Sequence, residues 1–120
     1  MFSLDGGVKY WLYNKPVDMR KSFNGLSGIV TNAMCASLGS GDVYIFMNAS
    51  RNMMKMLRRE EGGLVLYAFR LDMGRMKPAI TSSDEDVISS GISYEDIIKM
   101  VRSALESPYV RRIRMLSKSL

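Results

Sequence analysis

Histidine is missing altogether from the 120 residues, and cysteine occurs once, as Cys35. The first absence removes the commonest general base near neutral pH and the commonest nitrogen ligand for a transition metal. The second excludes an internal disulfide, and a single thiol among apolar neighbours reads as core packing in a reducing compartment. Long apolar runs are also lacking. Residues 28–30 and 43–47 are typical of those present, far short of the roughly 20 residues a membrane-spanning helix needs. The N-terminal stretch carries Asp5 and Gly6-Gly7 in place of a basic segment followed by an apolar one. No secretory signal is read there, and a cytoplasmic location with no membrane partner is expected.

Catalytic groupings are equally sparse. Nucleophilic catalysis at Cys35 would lack a base, and a nuclease needs carboxylates that converge on Mg²⁺. The acids are scattered instead: Asp5, Asp18, Asp42 and Asp72 stand apart, Glu60-Glu61 falls in a turn, and Asp84-Glu85-Asp86 falls at a helix start. The chain is therefore read as a non-enzyme with no cofactor and no metal.

What is there is an apolar fraction of 47%, enough for one core in a chain too short for two. One domain over residues 1–108 and a basic tail over residues 109–120 are expected. The net charge of +5 is segmented: residues 1–77 hold eleven Lys/Arg against six Asp/Glu, residues 78–108 two against six, and residues 109–120 four against none. A basic body and tail around an acidic stretch suit phosphate on one side and a basic partner on another.

Residues 8–13 (Val-Lys-Tyr-Trp-Leu-Tyr) read as a strand that ends at Asn14-Lys15-Pro16. Asp18 reads as a helix N-cap, and Met19, Phe23, Leu26, Val30, Ala33, Met34 and Leu38 form a helical stripe that stops at Gly39. Gly25 and Gly28 weaken that helix and point to close approach by another element. Residues 43–47 (Val-Tyr-Ile-Phe-Met) have the length and composition of a buried strand. Residues 53–59 and 64–71 flank Glu60-Glu61-Gly62-Gly63 as the arms of a hairpin. Ser82 with Glu85, and Ser93 with Asp96, fit capping boxes. The first helix would end at Gly91, and the second would present Tyr94, Ile97, Ile98, Val101, Ala104 and Leu105 on one face before Ser107-Pro108. The order strand, helix, strand, hairpin, helices gives an α+β domain with a mainly antiparallel sheet and helices on one face.

Two basic groups stand out. Arg20 and Lys21, in the first turn of the expected helix, oppose its dipole, which a bound phosphate would relieve and free solvation would relieve equally well. Arg51, Lys55 and Arg59 share parity along a strand, Arg58 points the other way, and Arg70 and Arg75 lie on the returning arm. Such a ribbon can track a nucleic-acid backbone, although any charge run is also compatible with a solvated face. Tyr10, Trp11 and Tyr13 read as sheet packing in preference to base stacking.

Several blocks resemble one family. Val17-Asp18-Met19-Arg20-Lys21-Ser22-Phe23 with Gly25-Leu26 is similar to the "TDMRKGFDGL" opening of the small TnpB-type accessory protein of insertion sequence sixty-six elements. Gly41 to Phe46 resembles its "G-x-x-[FY]-[VI]-F" strand, and Asn48, Arg51, Lys55 and Leu57 fall in its "N-R-R-R-x-R-x-K-x-L" block. Gly63-Leu64, Leu66-Tyr67, Arg70-Leu71 and Gly74-Arg75 follow "G-F-x-L-[YF]-x-K-R-L-E-x-G-R-F", and Ile80-Thr81 through Gly91-Ile92 follows the closing block. Ala49 and Met53 replace arginines of the pattern, and Met76 replaces a phenylalanine.

The resemblance implies a non-catalytic protein that assists a separate transposase, with DNA at the element ends and the transposase as partners. The residues expected to meet nucleic acid are Arg20, Lys21, Arg51, Lys55, Arg59, Arg70 and Arg75, with Arg111, Arg112 and Arg114 in the tail. Asp18, Gly25 and Gly74 are expected to be structural. The competing readings are an adaptor that docks on the transposase through the acidic segment, and a small metal-dependent nuclease using Glu60 or Asp72.

Overall fold

The structure is a computed structural model that describes residues 4–78 and 87–105. Among these residues five strands form one sheet: β1 (Tyr10–Tyr13), β2 (Val43–Met47), β3 (Met53–Glu60), β4 (Gly63–Arg70) and β5 (Ser89–Ile92), in the order β4-β3-β2-β1-β5. Every pair is antiparallel except β1 with β2, which run parallel at the centre. All five residues of β2 are buried, as a continuous apolar run with neighbours on both sides and cover on both faces requires. The hairpin is the one read from Glu60-Glu61-Gly62-Gly63: Glu60 pairs with Gly63, and Gly62 takes the positive φ of 85° that the two-residue turn demands. The fold class is α+β with a mainly antiparallel sheet.

The helices do not share one face, in contrast to the expectation. Tyr10, Leu12, Val43, Ile45, Met47 and Met54 pack with Ile97, Met100 and Ala104 of the helix α2 (Tyr94–Leu105). Tyr44, Phe46 and Leu57 pack with Leu26 of the short helix α1 (Phe23–Gly28) and with Val17, Val30 and Leu38 on the opposite side. Alternation along each strand sends successive side chains to opposite faces. Because the central strands are apolar at both parities, each face needs its own cover. Among Tyr10, Trp11 and Tyr13, the first belongs to the α2 face and the other two to the α1 face, so all three pack the sheet as expected.

The long helix expected from Met19 to Leu38 is broken. Asp18 accepts the backbone N–H of Arg20 at 2.9 Å, and Lys21 N–H donates to the Asp18 carbonyl at 3.1 Å, so residues 18–21 form a turn ahead of the helix. Asp18 is thus not the N-cap; Ser22 holds that position, with no side-chain cap bond. After α1 the coil widens into a π-helical turn, Ile29–Ala33, where Met34 N–H reaches the Ile29 carbonyl. Thr31 Oγ1 donates back to the Ser27 carbonyl at 3.0 Å, a side-chain competitor that bends helices. The stretch then stops at Cys35, which has φ 52° and is exposed, so the thiol is not core packing. Gly39 lies inside a 3-10 turn, Leu38–Ser40. Phe23 and Ala33 of the expected stripe are exposed, while Leu26, Val30 and Leu38 are buried.

On the other side, Gly91 does not end a helix. It lies in β5 opposite Trp11, and a Cβ there would meet the indole ring at 3.5 Å. The capping box at Ser93 forms as read: Asp96 N–H donates to Ser93 Oγ at 3.1 Å and Ser93 N–H to Asp96 Oδ2 at 2.9 Å. The Ser82 helix start, the Ser107-Pro108 stop and the tail with Arg111, Arg112 and Arg114 lie outside the described residues.

Candidate nucleic-acid interface

The parallel centre of the sheet decides where the loops emerge. Because β1 and β2 run in the same direction and β3 returns from β2, the end of β1, the end of β2, the start of β3 and the end of β4 share one edge of the molecule. Residues 14–21, 48–52 and 71–77 therefore meet there. They carry Lys15, Arg20, Lys21, Arg51, Arg75 and Lys77, and Arg70 closes β4 opposite Met53 at the same end. Among the described residues, the opposing charges at this end are Asp18 and Asp72. At the far end Asp42, Glu60 and Glu61 stand with Lys9, Arg58 and Arg59, so acids and bases nearly balance there while bases prevail at the loop end.

Each loop has a local cause. In the 48–52 turn, Asn48 Oδ1 accepts the N–H groups of Asn52 and Met53, both at 3.1 Å, and Asn48 Nδ2 donates to Asn52 Oδ1 at 2.6 Å. This clamp holds Arg51 in the left-handed region at φ 54°. Arg51 is therefore on a turn and not on the strand that carries Lys55 and Arg59. Its carbonyl accepts Met76 N–H at 2.7 Å, which sets Arg51 beside the segment bearing Arg75. Met76 is fully buried and anchors that segment, and Gly74 supplies the positive φ of 82° that lets the chain double back from β4.

Lys55 is occupied. It points to the α1 face, and its Nζ donates to the carbonyls of Met19 at 2.7 Å and Lys21 at 2.8 Å. It pins the 18–21 turn to β3 and so positions Arg20 and Lys21, a structural duty that takes up two of its three N–H donors. Gly25 is needed for the same turn: a Cβ there would stand 3.2 Å from Lys21 Cβ and Cγ, tighter than side chains normally pack. Gly28 has open space around it, so the expected close approach holds at Gly25 alone.

Arg20 is not in a helix, so no helix dipole opposes it. Its guanidinium meets the Asp18 carboxylate in a fork, with Nε at 3.0 Å and Nη2 at 2.6 Å from Oδ2, yet the side chain is 92% exposed. The arginine holds the Asp18 carboxyl down to about 2. Among the described residues, no carboxylate lies within ion-pair distance of Lys21, Arg51, Arg70 or Arg75, and all four are exposed.

Arg59 lies apart from this group. It shares the α1 face with Lys55, four residues along β3 and roughly 13 Å away. Arg58 turns to the other face, where Nε donates to the Gly41 carbonyl at 3.1 Å and Nη1 stands 3.5 Å from Glu60. Sequence reasoning overlooked Lys15, whose position depends on the parallel pairing of β1, and Phe23, whose 43% exposure beside Arg20 and Lys21 depends on where α1 begins. Among the described residues, no group of three or more acidic or cysteine side chains is arranged to hold a metal, and no helix is long and apolar enough to cross a membrane.

Comparison with known proteins bears on this arrangement. The chain is 26% identical over 69 residues to an uncharacterized protein, y4jC, of Sinorhizobium fredii (strain NBRC 101917 / NGR234), a match covering 58% of this chain and 59% of that protein. No solved structure matches significantly. The model of one family, described as IS66 Orf2-like protein, matches residues 8–99 and so takes in all five strands and the whole basic end of the sheet. With most of its length covered by that match, the chain belongs to the IS66 Orf2-like family.

Proposed function

We propose that the chain is a non-catalytic accessory protein of transposition that grips DNA phosphates with the basic end of its sheet. Family membership supports the accessory role in IS66 transposition. The observation that carries the DNA-binding reading is the convergence of Lys21, Arg51, Arg70 and Arg75, exposed and free of described carboxylate partners, at one edge of the molecule. Cations gathered without ion-pair partners repel one another, and a polyanion relieves that repulsion while releasing its own condensed counterions. Arg20 joins them by exchanging Asp18 for phosphate. Phe23 offers an exposed ring next to these cations for contact with a sugar or an unpaired base. Arginine and lysine position a protein on phosphate, and a nuclease would also need carboxylates converging on a metal, a grouping not found among the described residues.

The test is a fluorescence-anisotropy titration of the full chain against duplexes carrying element ends and against scrambled duplexes, at several salt concentrations. Affinity falling steeply with salt supports the reading, and a preference for element ends adds base or shape readout. Absence of binding at low salt refutes it and leaves an adaptor that docks on the transposase.

A further inference from the structure

Strand β4 is an outer strand of the sheet, and among the described residues no strand pairs with its free side. Its sequence, Gly-Leu-Val-Leu-Tyr-Ala-Phe-Arg, has eight residues, no proline and no charge before Arg70. Edge strands that stay single are usually guarded by a lysine, a proline, a bulge or short length. β4 has none of these: its eight residues pair with β3 in unbroken register.

The hydrogen-bonding parity of the free side follows from the hairpin. Residues along an antiparallel pair alternate between exchanging backbone bonds with the partner and turning those groups away. Leu71 N–H donates to the Asn52 carbonyl at 2.8 Å. At even steps from Leu71, Phe69, Tyr67, Val65 and Gly63 turn their backbone groups to β3, so Leu64, Leu66, Ala68 and Arg70 turn theirs outward.

We infer that β4 pairs antiparallel with β4 of a second copy of this chain, making one ten-stranded sheet across a two-fold axis. Such an axis stands perpendicular to the sheet, keeps each face continuous and brings outward-turned residues opposite one another. Centring on Leu66 sets Leu64 opposite Ala68 and Gly62 opposite Arg70. Arg70 of each copy then comes alongside the exposed Glu61 of the other, an attraction made twice. Centring on Tyr67 would instead set Arg70 opposite Leu64, whose neighbour on β3 is Arg59, cation toward cation. Charge thus favours the Leu66 register over the Tyr67 one. β5, with four residues, is too short to template β4. The two basic ends come to lie at opposite extremes of the shared sheet, related by the two-fold.

Sedimentation equilibrium of the full chain without nucleic acid tests this. A mass that doubles with concentration is expected. Arg70→Glu should raise the dimer dissociation constant roughly tenfold, since two symmetric attractions become repulsions. Glu61→Arg should do the same, and the two changes together should restore the wild-type value. Ala68→Pro removes an outward N–H and no β3 bond, so it should give a monomer. If that variant loses its circular-dichroism spectrum, the charge reversals alone decide. A mass that stays monomeric at every concentration overturns the inference. So does slow amide exchange at Leu64, Leu66 and Ala68 that is independent of concentration, which would mean the chain covers its own edge.

Discussion

The ammonium of Lys55 donates to the carbonyls of both Met19 and Lys21, at 2.7 and 2.8 Å, and ties a surface turn to the third strand of the sheet. A charged donor serving two carbonyls contributes on the order of 2 kcal/mol when part-buried. Lys55→Met keeps the stem and loses the donor. It should lower the urea midpoint by a corresponding amount and weaken DNA binding several-fold with the salt dependence nearly unchanged, because positioning is lost and no phosphate contact is. A salt slope that falls by a full unit would instead place Lys55 on a phosphate.

The unpaired cations should behave oppositely. Arg51→Ala and Arg75→Ala should each leave thermal unfolding within about 0.5 kcal/mol of wild type, as exposed substitutions do. In anisotropy titrations, each should cut the slope of log affinity against log salt by about 1. Arg59→Ala, at the far end of the strand, should change the slope less than either of them.

Asp18 competes with DNA for Arg20. Its carboxyl is held at about 2 against an ordinary 3.8. The folded value is the lower one, so the ion pair favours the folded state above the ordinary carboxylate range, and that contribution disappears as pH falls toward 2. A carbon-detected NMR titration should place the Asp18 midpoint near 2. Asp18→Asn frees the guanidinium and should tighten DNA binding a few-fold at low salt. Weaker binding would show that the fork presents Arg20 and does not restrain it.

Ser93→Ala removes one half of the capping box at α2 and should cost about 1 kcal/mol in chemical denaturation. The Ser93 N–H bond holds the Asp96 carboxyl below its ordinary value, chiefly through backbone donation. Its stabilising contribution is therefore complete above the ordinary aspartate range and fades as pH drops through the lowered value. The pH dependence of unfolding in Asp96→Asn should be flatter than wild type in that acid window.

The hairpin and its turn, the buried strand Val43–Met47 and the Ser93 capping box were legible because each depends on a few adjacent residues. The first helix was misread because its apolar spacing continues through positions where local competitors win. Asp18 closes a turn on Arg20, Thr31 bonds back to the coil, and Cys35 leaves the right-handed region. Gly91 looked like a helix stop because nothing near it in sequence reveals the Trp11 ring opposite. The arginines of the candidate interface were legible as residue types, but their shared edge was not. That edge rests on the parallel pairing of β1 with β2, a relation between residues some thirty positions apart.

That same parallel pair imposes an order on folding. The β3–β4 hairpin closes over two residues and can form in microseconds, and β2 joins β3 across a short turn. β1 reaches β2 only after the whole crossover between them has been ordered, and its other side waits for β5, synthesised last of the strands. Long closures of this kind slow folding because the entropy of the loop is lost before the contacts form. A substitution in β1 such as Leu12→Ala should therefore accelerate unfolding more than it slows folding, whereas one in β3 such as Leu57→Ala should show most of its effect in the folding rate.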